Sequence, residues 1–211
     1  SDVCSSDLHG RGAATGDAIS RLLEATGYSV VREYYVNDAG VQLLSLGRSV
    51  LARYRGLHGL DEAFPEGGYP GDYVIDLARE LQARDGDRWL APDTQSEWTV
   101  ARWAAERMLE RIRADLDAFH IRFDVFTSEY ELRQSGTVRL ALEELRAASH
   151  VYDQDGALWF RSTTFGDDKD RALVKSDGEL TYFASDVAYH REKLRGGYDL
   201  VIDVWGADHH G

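Results

Sequence analysis

Cysteine is nearly missing from this 211-residue chain. Cys4 stands alone, so no internal disulfide can form and no thiolate cluster can hold a metal. Methionine is equally scarce, with Met108 alone in mid-chain, and the expectation is an internal segment of a longer protein. Long apolar runs are absent too. No stretch approaches the roughly 18 consecutive apolar residues of a membrane span, and no leader-like pattern opens the chain, so a cytoplasmic protein with no membrane partner is expected. Positive charge is also short: 24 Lys and Arg against 37 Asp and Glu leave a net charge of −13. That balance argues against a general nucleic-acid surface and suits a small cationic substrate better.

What is present is an alternation of helical and extended patterns, the grammar of an α/β sheet. Apolar spacing predicts a helix over 12–26, a strand over 28–36 ending in the turn Asn37-Asp38-Ala39-Gly40, and a second helix over 41–54. The Pro- and Gly-rich stretch 64–72 reads as a loop before a helix over 73–83. Thr94-Gln95-Ser96-Glu97 has capping-box spacing ahead of a long apolar stripe ending near Phe119. Alternation over 121–126 predicts a strand that delivers Ser128-Glu129 to its end. A helix over 137–148, short strands near 151 and over 158–162, and a hairpin turning at 176–178 into a strand over 180–184 follow. Ser185-Asp186 would then cap a helix to about Arg195, and 200–204 would be the last strand.

In open α/β sheets, ligands bind beyond the carboxyl ends of strands, near helix N-termini. Four polar groups fall at such places. His9-Gly10-Arg11-Gly12 precedes the first helix, where backbone N–H groups favour a phosphate; the plainer reading is an exposed loop histidine. Asn37-Asp38-Ala39-Gly40 is either a ligand loop or a simple strand-ending turn. Tyr182 and Asp186 could present a phenol and a carboxylate to one cavity, or be a buried tyrosine beside an N-cap aspartate. Asp208-His209-His210 could ligate a divalent metal, as in the metal-dependent phosphoesterases named for Asp-His-His, although only Asp203 and Asp38 offer further ligands. The run Asp167-Asp168-Lys169-Asp170 reads as a solvated loop balanced by Lys169 and Arg171.

Taken in order, several segments resemble the catalytic domain of the arginyl-tRNA synthetases, class I aminoacyl-tRNA synthetases. They are His9-Gly10-Arg11-Gly12-Ala13, Tyr35-Val36-Asn37-Asp38-Ala39-Gly40 with Gln42, Tyr69-Pro70-Gly71-Asp72-Tyr73, the run from Phe160 to Arg171, Tyr182-Phe183-Ala184-Ser185-Asp186, and Gly206-Ala207-Asp208-His209-His210-Gly211. The resemblance covers residues 9–211. Ser1 to Leu8 fits nothing in it and is expected to be a non-native or artefactual segment.

The family implies an α/β, Rossmann-like nucleotide-binding core broken by a connective insertion in the middle of the chain, here incomplete at both ends. It implies ATP with Mg2+, L-arginine and tRNA(Arg) as partners, and a monomeric, arginine-activating ligase with no metal site of its own. By the resemblance, His9 is the catalytic histidine that ends the signature usually written HIGH, and it holds ATP phosphates together with Gly10, Gly12, His209 and His210. Glu129, Tyr182, Asp186 and Asp208 match arginine-binding positions, and Asn37, Asp38 and Gln42 match a motif on the nucleotide or acceptor-end side. The chemistry suits those residue types, because a guanidinium needs carboxylates and directional acceptors.

The first histidine and glycine of that signature, the lysine-rich KMSKS loop, the anticodon-binding domain and the N-terminal tRNA-contacting domain have no counterpart in this sequence. The segment alone is therefore expected to be inactive. The alternatives are a degenerate fragment that keeps only the fold, and the metal-dependent phosphoesterase.

Overall fold

A computed structural model describes the backbone of residues 7–91 and 93–205, with side chains from Gly10 onward. The chain divides into two compact units: one holds Asp38–Asp124 and the residues up to Arg32, the other Glu33–Asn37 and the residues from Val125 onward.

The first unit is helical, with α1 (Asp7–Ala25), α2 (Gly40–Leu57), α3 (Asp72–Asp85) and α4 (Thr94–Ala118). Its core follows the helical repeat: Val50, Leu51 and Tyr54 from α2, Val74, Leu77, Ala78 and Leu81 from α3, and Val100, Ala104 and Met108 from α4, closed by Trp89. Each fully buried aliphatic side chain stabilises such a core by about 1.5–3 kcal/mol. The crossing of α2 and α4 is tight enough to need a glycine, since a Cβ on Gly47 would lie 2.6 Å from the Ala101 Cβ and from the Glu97 carbonyl oxygen.

Beside this core Arg55 is buried, and all three of its guanidinium nitrogens donate: Nε to the Trp89 carbonyl (3.2 Å), Nη1 to both Glu62 oxygens (2.7 and 3.0 Å), and Nη2 to the Ala91 carbonyl (3.3 Å). It thereby pins the loops that follow α2 and α3. Leaving the carbonyl of buried Trp89 unpaired would cost about 1–3 kcal/mol.

The second unit is mixed. Strands β1 (Glu33–Val36) and β2 (Val125–Ser128) pair in parallel, with Glu33 opposite Val125 and Val36 opposite Ser128. After β2 come α5 (Glu129–Gln134) and α6 (Thr137–Ala147), then an antiparallel sheet ordered β3 (Val151–Gln154), β4 (Ala157–Phe160), β5 (Arg171–Val174), and finally α7 (Tyr182–Arg195). The β3–β4 hairpin turns at Asp155 and Gly156, both at positive φ (51° and 77°), as a two-residue type I′ connection requires. Leu132, Val138, Ala141, Val151, Leu158, Leu173, Ala184 and Ala188 form the core of this unit.

The structure moves several expected boundaries. Helix α1 starts at Asp7 rather than 12, so His9, Gly10 and Gly12 lie within its first turns; adding a hydrogen bond per residue to an existing helix outweighs the weak propensity of two glycines. Strand β1 spans only 33–36, because its partner is four residues long and the Asp124 carboxylate accepts from the Arg32 N–H just ahead of the ladder. The strand expected over 121–126 is displaced to 125–128 by the same register. Helix α4 is capped by Asp93, whose side chain accepts from the Ser96 N–H (2.9 Å), while Glu97 pairs with Arg48 (2.9 Å) instead of closing a capping box.

The expected strand 180–184 is a single bridge, Val174 to Leu180, after which Thr181 caps α7 by accepting from the Ala184 N–H. Residues 200–204 have no regular structure, because among the described residues no strand supplies them with a ladder.

Candidate functional site

Parallel pairing brings the carboxyl ends of β1 and β2 level, and the polar residues just past a sheet's carboxyl edge are where ligands are held. Ser128 ends β2 and caps α5, accepting from the Glu131 N–H (3.1 Å). Glu129 is thereby fixed as the first residue of α5, and it is only 1% exposed.

A buried carboxylate needs a cation or several donors. Glu129 has Arg133, one helical turn on, whose Nε (3.0 Å) and Nη2 (2.6 Å) both donate to the same oxygen, Oε1. The other oxygen, Oε2, is buried without a hydrogen-bond partner among the described residues. The Arg133 Nε–H also reaches the Ser185 hydroxyl (3.0 Å), a fully buried side chain of α7.

Helix α7 contributes Tyr182 and Asp186, four residues apart and so on one face, with Tyr189 a turn further along it. Because Thr181 is the cap, Asp186 stands in the second turn, and the reading of it as an N-cap is corrected. From β1, Tyr35 packs its ring on Tyr189 (4.7 Å between centroids), and its hydroxyl is a second buried group without a partner among the described residues. Burial raises the Tyr35 pKa, and the charges of Glu129 and Asp186 raise it further, opposed by Arg133. Tyr182 is raised by burial, then by Asp186 and Glu129, and Tyr189 by burial and then Glu33. The three phenols therefore stay neutral at physiological pH, able both to donate and to accept.

The result is a cluster of two carboxylates and two phenols with one internal guanidinium, negative overall. It brings together Glu129, Tyr182 and Asp186. Tyr35, Arg133 and Ser185 join it without having been singled out; the four-residue step from Glu129 to Arg133 and the place of Ser185 between Tyr182 and Asp186 were the available signals.

His9 is in the first turn of α1, and its side chain is outside the described residues, while a Cβ at Gly10 or Gly12 would meet nothing within 4 Å. Asn37 follows β1 in the mixed unit. Asp38 and Gln42 belong to the helical unit, with Gly40 between them at φ 78°. Asp208, His209 and His210 lie outside the described residues. Asp203, the further aspartate of the metal reading, instead accepts from Lys193 and contacts the His190 Nε2 (3.3 Å). No group of three or more His, Cys, Asp or Glu among the described residues is placed to hold a metal. In the polar run, Arg171 donates to Asp167 (2.7 Å twice) and Asp168 (3.1 Å), the internal balance expected there. No helix among the described residues is long and apolar enough to cross a membrane.

Residues 76–204 match the family model described as "tRNA synthetases class I (R), catalytic domain". The chain is 52% identical over 204 residues to the arginine--tRNA ligase of Citrifermentans bemidjiense, covering 96% of this chain and 37% of that protein. It is 48% identical to the arginine--tRNA ligase of Bacillus subtilis, at the same coverage. A crystal structure described as an arginyl-tRNA synthetase of Campylobacter jejuni superposes with a TM-score of 0.88 at 37% identity, over 97% of this chain and 45% of that one. The chain thus spans little more than a third of the length of the curated relatives it matches.

Proposed function

The chain belongs to the class I arginyl-tRNA synthetase family by its catalytic domain, and from that premise we propose that the protein containing it activates L-arginine with ATP and transfers it to tRNA(Arg). One observation carries this reading: a buried carboxylate, Glu129, with one oxygen unpaired among the described residues, in a cluster with Tyr182 and Asp186. A guanidinium brings N–H donors in a plane and a positive charge, which is the complement of that arrangement.

In this reading Glu129, Tyr182 and Asp186 bind and orient arginine, with Asp208 near its amino-acid end. The arginine carboxylate attacks the ATP α-phosphate in line; its oxygen bonds to phosphorus as the bond to pyrophosphate breaks, giving arginyl-adenylate. No covalent enzyme intermediate is needed, so the protein's work is positioning and stabilising charge on the phosphates. His9, Gly10 and Gly12 at the start of α1, with His209 and His210, hold the phosphates, and Asn37, Asp38 and Gln42 line the nucleotide or acceptor-end side. Mg2+ enters as part of the ATP substrate, neutralising phosphate charge. Helices α2–α4, which connect the parallel strands β1 and β2, are the insertion that interrupts the sheet.

The test is arginine-dependent ATP–pyrophosphate exchange by the full-length protein, with and without tRNA(Arg). Exchange is expected, and Asp186→Asn should raise the arginine KM by about 100-fold or more, the scale of losing one partner of a buried ion pair. No exchange with any amino acid would leave a degenerate fold, and an unchanged KM would remove Asp186 from the pocket.

A further inference from the structure

Arg133 and Glu129 pair in an unusual way. An arginine facing a carboxylate frequently forks, one nitrogen to each oxygen, and so gives both oxygens a donor. Here Nε and Nη2 converge on Oε1 alone, and Oε2 is left buried and unpartnered among the described residues. The same Nε–H is shared with the Ser185 hydroxyl at 3.0 Å, and Ser185 lies in α7 between Tyr182 and Asp186. One guanidinium therefore touches the first residue of α5 and the middle of the α7 segment that carries the other two polar groups.

We propose that Arg133 is a positioning residue: it holds one oxygen of Glu129 and fastens α5 to α7, so that the pocket offers a substrate guanidinium a single, fixed carboxylate oxygen beside Tyr182 and Asp186. This rests on the arginine-site reading of Glu129. It follows that the substrate is not gripped by a carboxylate fork at Glu129. The second acceptor has to come from α7, and the registry between the two helices decides how well the two acceptors match a planar guanidinium. An unpaired carboxylate of 1% exposure would also be strongly disfavoured, so the residue that aims Glu129 is the one that stabilises its charge.

The test compares the full-length parent with Arg133→Met, Arg133→Lys, Ser185→Ala and Glu129→Gln in pyrophosphate exchange with tRNA(Arg) present. Arg133→Met should raise the arginine KM about tenfold or more, with kcat within about threefold and the ATP KM unchanged, the signature of lost substrate positioning. Arg133→Lys should restore most of the loss, because an ammonium reaches Oε1. An unchanged arginine KM in Arg133→Met overturns the proposal; a lowered one does too, since Arg133 would then be a competitor for Glu129. Parallel damage to kcat and the ATP KM also overturns it, by marking a general disturbance. If Arg133→Met does not fold, Ser185→Ala decides: it should raise the arginine KM about threefold at constant kcat, and no change sinks the idea. Glu129→Gln separates the two layers. If it leaves the arginine KM unchanged, the arginine site itself is wrong; if it raises the KM while Arg133→Met does not, only the role of Arg133 fails.

Discussion

Two charged side chains are buried among the described residues, one in each unit, and they are used in opposite ways. Arg55 in the helical unit spends every nitrogen on a protein acceptor, two loop carbonyls and one carboxylate. Glu129 in the mixed unit has one oxygen taken twice and the other left over. Burial of charge is costly in both places. A saturated charge has finished its task once the chain is folded, whereas a half-saturated one keeps its remaining bond for something that is not part of the fold. The contrast between these two charges, one spent on the fold and one that the proposed arginine site would use, can be attacked by a set of substitutions.

The largest effect should come from Glu129→Gln, which places an N–H where the substrate's N–H groups need an acceptor. The arginine KM of the full-length protein should rise by about 100-fold or more, corresponding to roughly 3–5 kcal/mol for a buried pair that loses a partner. Arg55→Met should do the reverse: denaturant unfolding should show a loss of about 3 kcal/mol, while the arginine KM stays within about twofold. If Arg55→Met shifts the arginine KM as much as Glu129→Gln does, the contrast between the two charges collapses. Tyr35→Phe is a finer probe. Its hydroxyl has no partner among the described residues, so its loss should leave stability unchanged or slightly improved, yet raise the arginine KM about fivefold if the hydroxyl serves the substrate.

The smallest effect concerns acid. Hydrogen bonds from the Thr163 side chain and N–H and from the Tyr152 hydroxyl hold the Asp170 carboxyl below its ordinary value. A depressed folded-state pKa means this contribution is present at neutral pH and is lost as pH falls below about 4 and through the folded value. Asp170→Asn should therefore flatten the acid limb of a stability–pH curve of the full-length protein. An unaltered limb would mean that Asp170 adds nothing.

The sequence made the helices legible because their apolar spacing answers directly to the core. Val74, Leu77, Ala78 and Leu81 are buried together, as their period implies. Strand limits were harder to read, since β1 and β2 begin and end where their shared register does, and that depends on residues almost a hundred positions apart. Within the site, Glu129, Tyr182 and Asp186 were visible through resemblance and through their places at element junctions. Arg133 was not, because an arginine four residues after a glutamate on a short helix looks like any surface ion pair until the burial of Glu129 is known. The unpaired state of Oε2 is invisible in one dimension, as it depends on the placement of three segments around one atom.

Gly47 carries a last consequence. It sits in the interior of α2, where glycine is the worst choice short of proline by intrinsic propensity, at about 1 kcal/mol against alanine. The 2.6 Å approach of Ala101 turns that preference around, since every other amino acid brings at least a Cβ into space already filled. In the landscape of possible sequences this position is a cul-de-sac: no other amino acid fits it without the two helices shifting. Trimming Ala101 to glycine would not open the way either, because the Glu97 carbonyl oxygen lies at the same 2.6 Å and belongs to the backbone.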